Sequence, residues 1–334
     1  MTYNELLKTL NNKIYHPVYL LQGEESYYID KIIDIFIDNV LSEFEKEFNL
    51  TVLYGRDVEA GSLVAELKGY PMSSNYKLVI IKEAQSINKK DHDKLAEYIK
   101  NPLKTTIFVL AYKYGSIDGR TGLAREIKSK GVIFDSPKLK QNKIPGWIND
   151  YIKSINYKIS DKAATILAEL LGDDLSKIVN EINKIIINLQ PGAEINPEIV
   201  LENIGISKDY NIFELQNAII NKNLNKAWKI INYFVANIKE EPIVVNIGFL
   251  YSFFVKILTY HYLQDKSQSK VAAALGVPPF YIKDYITAAS HYSPSKIINI
   301  ISYLKECDLK SKGINNPTVS EVSLYKELIY KILH

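Results

Sequence analysis

The sequence predicts an α/β domain followed by an all-helical region. Three observations carry that prediction. Up to about residue 140, short β-branched runs alternate with amphipathic segments, the pattern of βαβ units around a mostly parallel sheet. Two of the runs, "KLVII" (Lys77–Ile81) and "TIFVL" (Thr106–Leu110), are apolar on both faces, as strands covered from both sides must be. After Pro137 the strand pattern stops and helical spacing takes over.

In order, the strand runs are "PVYLLQ" (Pro17–Gln22), "NLTVLYG" (Asn49–Gly55), "YKLVIIKEA" (Tyr76–Ala84), "TTIFVLAYK" (Thr105–Lys113) and "GVIFDSP" (Gly131–Pro137). Helical segments lie between them at Glu25–Leu41, Glu59–Gly69, Lys90–Lys100 and Arg120–Lys130. From Asn142 onward the apolar residues recur at helical spacing in Pro145–Ser154, Asp161–Leu171, Leu175–Leu189, Ile212–Asn221, Leu224–Ala236, Ile243–Tyr262, Pro294–Lys312 and Ser320–Ile332. Ser160 and Ser320 stand where N-caps belong. Breakers at "LQPGAEINPE" (Leu189–Glu198) and "GISKDYN" (Gly205–Asn211) divide the helical part. The expected domains are therefore 1–140, 141–206 and 207–334. No repeat at solenoid periods and no low-complexity tract interrupts them.

Of the 334 residues, 47% are hydrophobic and 24% charged, enough to bury a sizeable core. A net charge of +3 is too small to imply nucleic-acid binding by composition. The excess is uneven: residues 207–334 hold 15 Lys and Arg against 10 Asp and Glu. That fits a solvated helical surface, with a phosphate-facing one as the alternative. The single cysteine, Cys307, excludes an internal disulfide and sits in an amphipathic pattern that buries it. The N-terminus "MTYNELLKTLNNK" lacks an apolar signal core. The longest apolar run, Ile243–Leu258, is broken by Asn246 and Lys256. A cytoplasmic protein with no membrane partner is expected.

The turn after the first strand, "VYLLQGEESYYIDK" (Val18–Lys31), has the layout of a phosphate-binding loop without its chemistry. Such loops read G-x-x-x-x-G-K-[ST], with backbone N–H groups and a helix start facing the anion. With Gly23 first, Tyr28 replaces the second glycine, Ile29 the lysine and Asp30 the magnesium-binding hydroxyl. Lys31 falls about 200° around the helix from the lysine position and points away. Glu24 and Glu25 put negative charge where a triphosphate would lie, a repulsion of several kcal/mol away from water; both suit a helix start instead. The third strand run ends in Lys82–Glu83, where a magnesium-binding acidic pair would stand, and a lysine repels the ion. A plain strand end entering a loop predicts the same absence of metal. The five histidines show no metal-ligand spacing, and no G-x-S-x-G occurs. "GDD" (Gly172–Asp174) is a helix end followed by an N-cap, and Asp150 and Glu181 are surface charges. No metal, no cofactor and no catalysis by this chain alone are expected.

Taken in order, "VYLLQGEESYYIDK", "GYPMSSNYKLVIIKEA", "GRTGLAREIKSKGVIFDSPKLKQNKIPGWI", "LGDDLSKIVNEINKI", "YNIFELQNAI" and "LGVPPFYIKDY…YLKECDLKSKG" resemble the delta-subunit family of the bacterial DNA polymerase III clamp loader. The resemblance covers nearly the whole chain. It implies a degenerate AAA+ module, made of a RecA-like α/β domain and a small helical lid, then a helical collar domain for oligomerisation. It further implies binding and opening of the beta sliding clamp during DNA replication. Sibling subunits of the tau/gamma and delta-prime types would complete a hetero-pentamer around primer-template DNA, and the chain would be a component of a DNA-directed DNA polymerase (nucleotidyltransferase) holoenzyme. The family's clamp contact falls here on Tyr70, Pro71 and Met72, at the end of the amphipathic segment Glu59–Lys68. A loop that merely ends a helix at Pro71 is the competing description. For the collar, Phe213, Leu215, Trp228, Phe234, Phe249, Phe253 and Phe254 are candidates for contacts with neighbouring collars, or else the domain's own core.

Three other functions compete. An active AAA+ ATPase needs the missing lysine and magnesium ligand. A delta-prime type subunit usually carries zinc-binding cysteines and an S-R-C motif; this chain has one cysteine and no such motif. A DNA-binding protein acting alone finds little support in the mild positive charge of residues 207–334.

Overall fold

The computed structural model describes all residues except 205–206, 208–209, 239–241 and 315–319. The chain divides into two compact units, Met1–Leu139 and Lys140–His334. The expected boundary at 206/207 falls among residues outside the described set.

In the first unit the elements run α1 (Tyr3–Asn11), β1 (Val18–Gly23), α2 (Ser26–Val40), α3 (Glu43–Asn49), β2 (Leu50–Tyr54), α4 (Ala60–Leu67), β3 (Lys77–Lys82), α5 (His92–Lys100), β4 (Thr106–Lys113), α6 (Gly122–Lys130) and β5 (Val132–Ser136). The five strands form one parallel sheet in the order β2-β3-β4-β1-β5. Side chains alternate between its two faces, so two cores form. Val18, Leu20, Val79, Ile81, Phe108 and Leu110 pack with α4, α5 and α6. Tyr19, Leu21, Leu78, Ile80, Ile107 and Val109 pack with α1 and α2 on the opposite face. The chain order reverses at β1, where neighbouring connections leave in opposite directions. The carboxyl ends of β1 and β4 meet at this reversal, the usual ligand position in such sheets.

Helices α1 and α3 lie outside the sequence-based expectation. Each starts with a capping box: Thr2 with Glu5, and Ser42 with Glu45. Helix α1 buries Leu6 and Leu10, one turn apart, and Tyr3 packs against the same core.

The second unit holds α7 (Ile144–Ser154), β6 (Lys158–Ile159), α8 (Asp161–Leu171), α9 (Leu175–Ile187), β7 (Glu194–Ile195), α10 (Pro197–Ile204), α11 (Ile212–Ile220), α12 (Leu224–Ala236), α13 (Ile243–Tyr262), α14 (Gln268–Leu275), α15 (Ile282–His291), α16 (Pro294–Ser311) and α17 (Glu321–Leu333). Strand structure does not end at Pro137: β6 and β7 form a two-residue parallel pair. Their brevity leaves no period to detect. Gly172 ends α8 at φ +75°, and Asp174 caps α9 by accepting a 3.0 Å bond from the Lys177 amide. This is the helix-end geometry expected for "GDD".

Helix α13 extends over 20 residues with a mean hydropathy of 1.7 and is the one helix among the described residues long and apolar enough to cross a membrane. The helix has the expected bounds, Ile243–Tyr262, and the correction concerns its apolar run: Asn246 and Lys256 do not bring it below that length and hydropathy. Here it packs against α11, α14, α15 and α16, burying Ile247, Leu250, Phe253, Phe254 and Ile257. Asn246 is accommodated by donating a 2.7 Å bond to the Tyr325 hydroxyl of α17. Leu215, Phe234, Phe253 and Phe254 are buried in this core, and Phe213, Trp228 and Phe249 pack against it. All seven collar candidates are thus accounted for by the unit's own packing. Cys307 is buried, and burial, aided by the Glu327 charge, pushes its thiol up to about 12.

Candidate functional site

At the turn after β1, Gly23 is required by close approach of protein rather than of a ligand. Its φ is +136°, and a Cβ there would lie 2.2 Å from the Ser136 carbonyl oxygen at the end of β5. Two amides of the turn already have backbone acceptors. The Gly23 N–H donates to the Gly115 carbonyl at 2.8 Å, and the Glu25 N–H donates to the Ser136 carbonyl at 3.0 Å. The Ser136 hydroxyl returns a 2.7 Å bond to the Glu25 carbonyl. Glu25 is buried, and its carboxylate accepts the Tyr27 N–H at 3.1 Å as the N-cap of α2. The anion at this helix start is therefore an internal one. A phosphate would have to displace a buried carboxylate from its donor.

The other three positions of the degenerate loop are structural as well. Tyr28 packs on Tyr3 of α1, with ring centroids 4.6 Å apart. Ile29 is fully buried in the α1–α2 core. Asp30 forms an ion pair with Lys113 at 2.8 Å. Lys31 turns back over the Tyr27 ring at 5.9 Å. At the end of β3, Lys82 is half-buried, and Glu83 adopts a left-handed turn at φ +52°. Glu83 accepts a bond from the Gln85 side chain and lies 3.8 Å from the Lys113 ammonium. Gln85 also accepts the Lys113 backbone N–H at 3.0 Å.

Lys113, the last residue of β4, was not anticipated. Only 14% of its side chain is exposed, and it stands between Asp30 and Glu83, the two residues aligned with metal-binding positions. The sheet register places it opposite Gly23. Among the described residues, no group of three or more His, Cys, Asp or Glu could hold a metal ion.

The tip at Tyr70–Met72 has the opposite character. Helix α4 leads to it and is anchored at both ends. Glu59 caps the start by accepting from the Gly61 and Ser62 amides at 3.0 and 2.7 Å. The Ser62 N–H, followed by the Ser62 hydroxyl and the Gly61 N–H, pulls the Glu59 carboxyl down to about 2. At the far end, the Leu67 carbonyl accepts from the hydroxyls of Tyr98 and Thr106. Beyond Gly69 the side chains turn out: Tyr70 is 75% exposed, Met72 is 63% exposed, and Pro71 is half-buried.

The backbone of this exposed tip is held. Asn49, at the end of α3, is 1% exposed. Its Oδ1 accepts the Met72 N–H at 2.7 Å, and its Nδ2 donates to the Met72 carbonyl at 2.9 Å. The same Nδ2 donates to the Glu45 carbonyl at 3.1 Å. One amide side chain thus satisfies both backbone groups of Met72 as a neighbouring strand would. Ser73 follows in the left-handed region at φ +51°. The result is a fixed backbone carrying two exposed, adaptable side chains, an arrangement that lowers the ordering cost of binding.

Fold and site together define a five-stranded parallel α/β module, with a helical C-terminal region, whose turn after β1 is filled by its own side chains. Residues 19–136 match the family described as "DNA polymerase III, delta subunit", and residues 209–326 match "DNA polymerase III delta subunit, C-terminal domain". The chain belongs to the DNA polymerase III delta-subunit family. It is 27% identical over 318 residues to the DNA polymerase III subunit delta of Bacillus subtilis, covering 92% of this chain and 91% of that one. It is 22% identical over 321 residues to the probable DNA polymerase III subunit delta of Aquifex aeolicus, covering 90% and 88%. Among solved structures, the Bacillus subtilis DNA clamp loader delta protein superposes with a TM-score of 0.57 at 25% identity, covering 99% of this chain and 100% of that one.

Proposed function

We propose that this chain is the ring-engaging subunit of a bacterial clamp loader: it binds the beta sliding clamp through Tyr70, Pro71 and Met72 and favours the clamp's open form. Family membership supports the clamp-loader role. The observation that carries the finer reading is the tip itself, where Tyr70 and Met72 stand exposed on a backbone that Asn49 locks. Apolar side chains offered on a prepared backbone suit insertion into an apolar pocket, and a few such anchors dominate most interfaces. Opening requires no bond chemistry. The clamp shifts toward its open form by as much as this chain binds that form more tightly than the closed one.

No nucleotide is needed in this scheme. The occupied amides of Gly23, Glu25 and Tyr27, and the Lys113 cation between Asp30 and Glu83, favour a loop that binds neither ATP nor Mg²⁺. Tau/gamma and delta-prime type subunits would supply ATP chemistry within a cytoplasmic hetero-pentamer around primer-template DNA. In that assembly residues 141–206 would serve as a lid and residues 207–334 as a collar.

The test is capture of purified beta clamp by the purified chain with no nucleotide present. Retention of the clamp, weakened by Met72→Ala in a protein with an unchanged melting temperature, is the expected result. Failure of the wild-type chain to retain the clamp, or equal retention by Met72→Ala, would remove the reading or its wedge respectively.

A further inference from the structure

Helix α3 turns its apolar residues the wrong way for a core helix. In "EFEKEFN" the two phenylalanines sit one turn apart on one face. Phe44 is 69% exposed and Phe48 52%, and their rings meet edge to face at 5.8 Å. The residue this helix buries is Asn49. An amphipathic helix ordinarily directs such a pair into the protein. Nothing about the local sequence prevents it, since Ser42 and Glu45 cap the helix start with a reciprocal pair of bonds.

The exposed pair belongs to the same piece of structure as the tip. Helix α3 runs directly into β2, and the tip runs into β3; the two strands are paired neighbours, with Leu50 opposite Leu78. The end of α3 and the Tyr70–Met72 segment therefore emerge side by side at the amino end of this strand pair. Two contacts join them. Asn49 holds both backbone groups of Met72. The Ser74 side chain, just after the tip, also helps hold the Glu45 carboxyl below its ordinary value. Phe44 and Phe48 each precede one of these gripping residues, about 100° around the helix. The ridge and the tip are thus presented together, tied through Asn49.

The charges around the ridge point to the character of its partner. Helix α3 exposes Glu43, paired with its one lysine, Lys46, and Glu47, while Glu45 is engaged in the cap. The surface is apolar with an acidic border. Its complement is an apolar cleft with a basic rim.

We propose that Phe44 and Phe48 form a second apolar anchor beside Tyr70–Met72 for the same partner, the ring clamp. This rests on the function proposed above and enlarges its site from a single tip to a two-element docking face. The basic rim predicted for the clamp pocket predicts binding that weakens as salt is raised, because the acidic border of α3 is solvent-exposed.

The test uses the full-length chain and purified beta clamp, with affinities measured by calorimetry for the wild type, Met72→Ala and the double variant Phe44→Gln/Phe48→Gln. Glutamine keeps helix propensity at these exposed positions, so the melting temperature serves as a folding control. The double variant is expected to lose about tenfold or more in affinity, the usual scale for truncating an anchor pair. If wild type binds, Met72→Ala weakens binding and the double variant matches wild type within twofold, the second anchor is wrong while the proposed function stands. If wild type shows no binding, both fall together. Sedimentation velocity on the same proteins separates one more outcome. Wild-type self-association that the double variant abolishes, with clamp affinity unchanged, would make the ridge a contact between copies and overturn the assignment.

Discussion

The Lys113 ammonium lies 2.8 Å from an Asp30 carboxylate oxygen, joining the end of β4 to the second turn of α2. Glu83, 3.8 Å from the same ammonium, extends the bridge from the carboxyl end of β4 to that of β3 as well as to α2. A lysine is a strongly hydrated point charge and tolerates burial only when paired. Here it neutralises two acids that would otherwise repel each other at the strand ends. Replacing Lys113 with methionine leaves both acids without that cation. Partial exposure of Asp30 and Glu83 moderates the loss, so about 1–2 kcal/mol is expected. Urea unfolding of Lys113→Met against wild type measures it; equal midpoints would mean the bridge contributes nothing. For wild type, added Mg²⁺ is expected to leave the melting temperature unchanged, since a bound ion would raise it by mass action.

Gly23 and Gly146 offer a contrast between two chemically identical changes. A methyl group at Gly23 meets the Ser136 carbonyl at 2.2 Å, on a backbone at φ +136°. Neither the strand end nor the backbone angle can adjust without disturbing β5, so Gly23→Ala is expected to cost more than about 2 kcal/mol. Gly146 lies in α7 with nothing within 4 Å of a new Cβ. There Gly146→Ala is expected to be neutral or stabilising by up to about 1 kcal/mol. Thermal melts of the two variants should move in opposite directions. A mild effect at Gly23 would indicate that the loop can open, as ligand binding would require.

The strands were legible because their evidence is local: two runs apolar on both faces, and others short, β-branched and set between amphipathic segments. The degenerate loop was legible because wrong residues in a motif can be recognised without knowing what replaces their function. What did fill that function was not legible. Lys113 reaches a partner 83 residues away, and Asn49 one 23 residues away. No spacing rule within a segment links either pair; only the β1–β4 and β2–β3 registers bring them together. Helix α3 was missed because its apolar pair faces solvent, inverting the usual pattern. Helix α10 begins at Pro197, inside a stretch taken for a breaker, although proline is well suited to a first helical turn. There the Asn196 side chain accepts the Ile199 N–H at 2.9 Å and supplies the cap.

Asn49 separates positioning from contact. Its side chain is buried and holds the Met72 backbone, so it is not itself available to a partner. Asn49→Leu keeps similar bulk but strands the N–H and carbonyl of Met72 without their acceptor and donor. A stability loss of about 1–3 kcal/mol is expected if those groups stay shielded, and less if they reach water. Amide exchange at Met72 should accelerate, and affinity for purified clamp should fall although the Tyr70 and Met72 side chains are intact. Slow exchange at Met72 together with full affinity would show that the tip holds its shape without Asn49.

Glu59 gives the arm behind the tip an acid limit. Its carboxyl is pulled from an ordinary value of 4.5 down to about 2 by the Ser62 N–H, the Ser62 hydroxyl and the Gly61 N–H. A depressed carboxyl contributes stability while it is ionised in the folded chain and would also be ionised in the unfolded one. The contribution is therefore complete above about pH 4.5 and is lost as pH falls toward about 2. A carboxyl titration by carbon NMR should place the Glu59 midpoint well below those of uncapped glutamates, and amide protection in the first turn of α4 should decline across the same interval. Glu59→Gln keeps an acceptor but removes the charge, so the pH dependence of that protection should flatten. A Glu59 midpoint near 4.5 would show that the cap is not held in solution, leaving α4 anchored chiefly through the Tyr98 and Thr106 bonds at its other end.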